Sequence, residues 1–328
     1  MTTTSSTTTT VPASTSTSAS PGSPAGVGQP DPHPLVIVGH GTRSAAGVAQ
    51  FADLVERVRR RGAGRIGEAE GGFIELSAPP LTEAVGALVA HGHRSMVALP
   101  LVLAAAGHGK GDIPAAMARE QERHPGLTYW YGRPLGPHPL LNDVIEQRID
   151  AALDGAGRAG THVALIGRGS TDPDANAEIA KVARLIWEGR GYAGVEPAFI
   201  SLAEPSVPAV LEKIRRLGAE RIVVSPYFLF AGVLPDRIVT QTEVFAGDRP
   251  ELDVRVADLI GDCDPLADLV LQHYAEALSG DIRMNCDTCA YRIALPGFAD
   301  KVGQPQRPHD HPDDQVSHPS HDHHHAHH

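Results

Sequence analysis

"LVIVGHGTRS" (residues 35–44) and "VALIGRGST" (163–171) are one phrase written twice: a short apolar run, a Gly-x-Gly turn, then hydroxyl residues. A run of four or five aliphatic residues closed by glycine reads as a strand buried on both faces. In the first copy "AAGVAQFADLVERVRRRG" follows, with Val48, Phe51, Ala52, Val55 and Val58 at helical spacing and Gly62 at the end. Strand, turn and helix therefore make one βα unit.

The pattern continues outward from that unit. "GGFIEL" (71–76) predicts a second strand, "PPLTEAVGALVAHG" (79–92) a second helix, and "SMVALPLVL" (95–103) a third strand, followed by the glycine-rich loop "AAAGHGKG" (104–111). Asp112 is expected to cap the next helix, with Pro114 in its first turn, where a missing N–H costs nothing. "LTYWYG" (127–132) predicts a fourth strand, and a helix from about 138 to 153 completes the set. "DGAGRAG" (154–160) reads as a linker. The order then begins again. "FISLAEPSVPAVLEKIRRLG" (199–218) matches "FIELSAPPLTEAVGALVAHG" (73–92), and "RIVVSPYFLFAGVLPDRI" (221–238) matches "SMVALPLVLAAAGHGKGDIP" (95–114). A period of roughly 126 to 128 residues is that of a duplicated domain and not of a solenoid.

These units predict an α/β chain of two similar domains, each a parallel four-stranded sheet with helices on both faces and its own core. The expected boundaries are a disordered tail over 1–32, a first domain over 33–153, the linker 154–160, a second domain over 161–280 and a C-terminal region over 281–328. A formal charge of -11 with no long basic run argues against a nucleic-acid partner. No apolar run approaches the roughly 20 residues that span a bilayer. The Thr/Ser/Pro-rich start has neither the apolar core of a secretory signal nor the arginines of a transit peptide, and three cysteines make no disulfide framework. A cytoplasmic protein without a membrane partner is expected.

In open α/β sheets, ligands bind beyond the carboxyl ends of the strands. His40 stands just past the first strand, Glu75 ends the second, and His108 lies in the loop after the third. Their equivalents in the second copy are Arg168, Ser201 and Leu234. The joint loss of all three coordinating side chains predicts one working site, in the first half, and a degenerate one in the second. Two imidazoles and a carboxylate suit a divalent ion such as Co²⁺, Fe²⁺, Ni²⁺ or Zn²⁺. The chain contains no H-E-x-x-H, no G-x-x-x-x-G-K-[ST] and no G-x-S-x-G, so zinc hydrolysis, phosphoryl transfer and serine hydrolysis fit poorly.

The phrases "LVIVGHGTRS", "FIELSAPPL" and "LPLVLAAAGHGKGDIP" resemble the class II tetrapyrrole chelatases. The two-repeat length, "MNCDTCAYR" (284–292) and the histidine-rich end resemble the long, cobalt-inserting form of that family. The resemblance covers about residues 33–328. It implies insertion of Co²⁺, with Fe²⁺ or Ni²⁺ in close relatives, into sirohydrochlorin without ATP, on the route to cobalamin or sirohaem. It places the family's catalytic and metal-handling residues on His40, His108 and Glu75. The carboxylates of such a substrate are expected to meet backbone N–H groups, with Arg43 and Lys110 as the candidate side chains. Members of the long form are associated with an iron–sulfur cluster. Cys286 and Cys289 have C-x-x-C spacing, and two thiols need Cys263, a histidine or a second subunit to complete one.

The last twenty residues hold half of the chain's 18 histidines. His321, His323, His324, His325, His327 and His328 are expected to act as a metal reservoir that raises the local ion concentration near the cleft. Two rival readings stay open from sequence: a sirohydrochlorin ferrochelatase, which would share every residue above, and a non-catalytic cobalt or nickel storage or chaperone protein.

Overall fold

Leu35–Gly39 (β1) is apolar on both faces because both are covered. Leu35 and Ile37 point to one side of the sheet, Val36 and Val38 to the other, and all four are fully buried. The computed structural model describes residues 32–280 and 299–302. After β1 come α1 (Ala45–Arg61), β2 (Ala69–Phe73), α2 (Leu81–Ala90), β3 (Ser95–Pro100), α3 (Ile113–Arg123), β4 (Thr128–Tyr131) and α4 (Pro139–Leu153). The second half repeats the series as β5 (Thr161–Gly167), α5 (Pro173–Trp187), β6 (Gly194–Phe199), α6 (Val207–Arg216), β7 (Arg221–Pro226), α7 (Val233–Gly247), β8 (Asp253–Val256) and α8 (Asp264–Ser279). Both sheets are parallel, in the orders β2-β1-β3-β4 and β6-β5-β7-β8. The α/β class and the repeat are as the sequence predicts.

Local boundaries differ in ways that matter for the site. β2 starts two residues and ends three residues earlier than the predicted 71–76, which leaves Glu75 in the loop beyond the strand and puts Gly71 and Gly72 where neighbours crowd the strand. An added Cβ there would come within 2.5 Å of Val55 and 2.7 Å of the Leu81 backbone. The glycine-rich loop after β3 is not all loop, since His108–Asp112 form a π-helical turn that runs into α3. Asp112 consequently has helical φ and ψ and makes no side-chain capping bond. By contrast, Ser44 Oγ accepts from Gly47 N at the start of α1, and Asp172 Oδ1 from Asp174 N at the start of α5.

The larger correction concerns the cores. α2 and α3 cover the outer face of the first sheet, and α6 and α7 that of the second. The inner faces share one cluster, to which each half sends its last helix across. α8 packs on α1, β3 and β4, while α4 packs on β7, β8 and α5. Each half therefore keeps an outer core of its own but helps close the inner face of the other's sheet, and neither covers that inner face alone. Polar ties follow the exchange. Arg148 of α4 donates to the carbonyls of Leu259 and Ile260 at 3.1 Å, and Arg133 after β4 donates to Glu276 of α8 at 2.7 Å. On the surface, Arg61 of α1 forms a bidentate pair with Asp268 of α8. The connection 154–160 is pinned by Arg158, which binds Asp150, Glu146 and the Arg190 carbonyl. Among the described residues no helix is long and apolar enough to cross a membrane.

Two outcomes follow from this exchange. Trp130 lies in the first half, packed against the shared cluster, and Trp187 in the second. In each single-tryptophan variant, retaining one or the other, fluorescence and far-UV circular dichroism should report the same urea transition. Leu271→Ala, which removes an α8 side chain seated against Gly62 at the end of α1, should lower the midpoint reported by both tryptophans, with a loss of about 2–5 kcal/mol of stability. Two separate transitions would contradict a shared core. α8 also carries His273, which is 1% exposed. Burial, with Arg133 nearby, pushes its pKa down from 6.5 to about 4. The folded protein keeps this ring neutral while the unfolded chain takes up a proton below about 6.5, so stability should fall as pH drops from 6.5 toward 4. Urea midpoints measured across that range should show the decline, and His273→Leu should flatten part of it.

Candidate functional site

The β1–β2 ladder does not stop where the strands end. Ile74 N donates to the Gly39 carbonyl at 3.0 Å and Glu75 N to the His40 carbonyl at 3.1 Å. Gly41 has φ 120°, and a Cβ there would lie 1.9 Å from the Glu75 carbonyl oxygen. Only glycine allows so close an approach. Beyond it, Thr42 N donates to Ser77 Oγ at 2.9 Å, and that hydroxyl donates back to the Thr42 carbonyl. The two loops are thus zipped together, and the pairing sets His40 beside Glu75, with Nε2 and Oε1 2.9 Å apart. The imidazole is 25% exposed and the carboxylate 52%. The pair can be reached from solvent.

The second half builds the same frame with other side chains. Ile200 N and Ser201 N donate to the carbonyls of Gly167 and Arg168 at 3.0 Å, and Gly169, at φ 86°, packs on the Ser201 carbonyl. Between the two frames lies a cleft of about 870 Å³, at the carboxyl ends of both sheets. His40 and Glu75 line it from one side and Arg168 from the other, with Arg43, Arg119 and Arg237 also on its walls. Burial lowers the pKa of the Arg168 guanidinium, while the negative charge of Glu75 opposes that shift. The residue that replaces His40 in the repeat therefore acts on the first half's carboxylate. The second half is degenerate as a copy but not as a wall.

His108 opens the π-helical turn, and its side chain lies outside the described residues. Its neighbours Gly107 and Gly109 line the cleft, and Tyr131 Oη holds the Gly109 carbonyl at 3.0 Å. Among the described residues no group of three His, Cys, Asp or Glu side chains that could hold a metal ion occurs; His40 and Glu75 supply two donors. Arg43 lines the cleft. Lys110 does not. It is 6% exposed and donates to Asp172 Oδ2 at 2.8 Å and Asp174 Oδ2 at 3.0 Å, pairing with the second half. Nearby, Ala105 N donates to Glu178 Oε2 at 2.9 Å, and burial raises the pKa of that carboxyl. Cys263 sits at the N-cap of α8. Cys286, Cys289 and the tail histidines 321, 323, 324, 325, 327 and 328 lie outside the described residues.

Arg119 and Arg237 carried no signal in the sequence, because they sit on helices among many solvated charges. Arg168 did carry a signal, because it occupies the position of His40 in a repeated phrase.

A family model described as CbiX matches residues 34–152 and again 162–277. The chain is 32% identical over 263 residues to a sirohydrochlorin cobaltochelatase of Priestia megaterium, covering 80% of this chain and 85% of that one. It is 29% identical over 245 residues to a sirohydrochlorin ferrochelatase of the same organism, covering 74% and 90%. Among solved structures, SirB from Bacillus subtilis with Fe³⁺ superposes with a TM-score of 0.67 at 26% identity, covering 76% of this chain and 97% of that one.

The zipped turn makes a test. Gly41→Ala would force a Cβ onto the Glu75 carbonyl at a backbone angle that L-residues rarely adopt, and should cost roughly 1–3 kcal/mol in chemical denaturation. Gly64→Ala, also at positive φ but with nothing within 4 Å, should cost less. Equal losses would show that close packing on Glu75 is not what fixes this turn.

Proposed function

The chain belongs to the CbiX family, and from that membership we propose that its cleft inserts Co²⁺ into sirohydrochlorin, without ATP, for cobalamin biosynthesis. The observation that carries the reading to these residues is the 2.9 Å His40–Glu75 pair on a wall shared with Arg43, Arg119, Arg168 and Arg237.

Insertion exchanges two pyrrolic N–H protons for one divalent cation, so the site must pass metal in and take protons out. An imidazole does both, because its ligation is reversible and the same lone pair accepts a proton. His40 supplies that lone pair, and Glu75 orients the ring and stabilises the imidazolium once a proton has arrived. His108, on the π-helical turn whose glycines 107 and 109 line the cleft, is the candidate second imidazole. Sirohydrochlorin is a polycarboxylate, which the arginines receive through charge-assisted hydrogen bonds and which suits work in the aqueous cytoplasm. Arg168 has a second duty, since its charge and that of Glu75 attract across the cleft. The metal is substrate here, and Co²⁺ is favoured over Fe²⁺ by the higher identity and longer match to the cobaltochelatase than to the ferrochelatase. Cys286 and Cys289 as an iron–sulfur site, and the tail histidines as a reservoir, belong to the same proposal.

Purified protein incubated anaerobically with sirohydrochlorin and Co²⁺, Fe²⁺ or Ni²⁺ should change the visible spectrum of the macrocycle fastest with Co²⁺. Faster conversion with Fe²⁺ would make it a ferrochelatase, and none with any metal would leave only a binding role. His40→Ala should lower kcat by about 100-fold or more. Truncation after residue 304 should slow turnover when metal is scarce and leave it near normal when metal is plentiful. Equal slowing at all metal concentrations would exclude a reservoir.

A further inference from the structure

Two backbone bonds join the halves at equivalent places. Ala105 N donates to Glu178 Oε2 at 2.9 Å, and its counterpart Ala231 N donates to Gln50 Oε1 at 2.8 Å. Each anchors the segment after a third strand to the first helix of the opposite half. On one side only, a buried ionic strut is added. Lys110 Nζ lies 2.8 Å from Asp172 Oδ2 and 3.0 Å from Asp174 Oδ2, with side chains 6%, 1% and 4% exposed. In the repeat the three positions are held by Asp236, Ser44 and Ala46, which cannot form such a strut.

The fold therefore closes on the mirror side without it. Buried charge pairs add little stability over apolar residues of similar size, because desolvation offsets their attraction. Their better-attested use is to fix one geometry. What stands between the two anchors, Ala105 and Lys110, is the start of the π-helical turn with His108 and the glycines at 107 and 109. A segment so rich in glycine has many conformations to choose from.

We propose that Lys110, Asp172 and Asp174 are positioning residues that clamp the His108 turn to the second half, so that it faces the cleft in one conformation. The inference rests on reading the cleft as the insertion site. It also explains why a half without His40, Glu75 or His108 equivalents is retained: its helix α5 holds the turn that the chemistry needs.

The test uses the full-length chain with Lys110→Met, Asp172→Asn and Asp174→Asn combined, which removes the three charges of the strut together. Kinetics with Co²⁺ and sirohydrochlorin are read beside hydrogen exchange of amides 105–112. The expected result is a kcat about 10-fold or more below wild type, a KM for sirohydrochlorin within about twofold, and faster exchange over 105–112. Gln50→Leu, which breaks the mirror-side bond, should lower the melting temperature and leave kcat within about twofold. The proposal is overturned if the triple variant keeps wild-type kcat, if exchange over 105–112 is unchanged, or if Gln50→Leu lowers kcat as much. Should wild type itself insert no metal, the reading of the cleft fails, and the exchange measurement alone decides whether the strut fixes the turn.

Discussion

The exchange of α4 and α8 is the constraint on which everything else depends. Two half-covered sheets cannot stand alone in water, since the inner faces carry residues such as Leu35, Ile37, Val163 and Leu165 at full burial. Sending each last helix across closes both faces with one cluster and removes the freedom two tethered domains would have. The cleft inherits that rigidity. Its opposing walls come from different halves, yet their separation is set by a packed core and not by a linker.

Within that frame, duplication supplied two equivalent turns, and the two were put to different uses. The backbone is nearly the same at each. The ladder extends past the strand, a positive-φ glycine presses on a carbonyl, and a non-glycine residue follows in the left-handed region, Leu76 at 62° and Leu202 at 60°. The side chains differ. One turn carries an imidazole beside a carboxylate, and the other a guanidinium whose charge reaches the same carboxylate. A symmetric scaffold thus makes an asymmetric pocket, with an imidazole–carboxylate pair on one wall and arginines on both.

The α/β class, the repeat and the nearness of His40 and Glu75 at one sheet edge were legible in the sequence, because short-range pattern encodes them: apolar runs make strands, and residues just past neighbouring parallel strands meet at the same edge. The partner of a helix is not encoded in its own periodicity. α4 and α8 look like any amphipathic helix, and nothing in their spacing says which sheet they cover. The role of Lys110 was hidden for a similar reason. A lysine among glycines reads as a solvated loop residue until the acids at 172 and 174, some sixty residues away, are seen beneath it. Asp112 misled because a π-helical turn before α3 moved the true start of the helical backbone upstream.

The route of the chain has a consequence during synthesis. β1 ends at Gly39, but the helix that finishes covering its sheet begins at Asp264. At translation rates of about 5–20 residues per second, that gap of roughly 225 residues is a wait of roughly 10 to 45 seconds. Throughout it, part of an apolar sheet face is open on the ribosome with nothing native to cover it. Contacts so distant in sequence also form slowly once the chain is released. The arrangement that gives the finished enzyme a rigid cleft makes its unfinished form a natural client for chaperones.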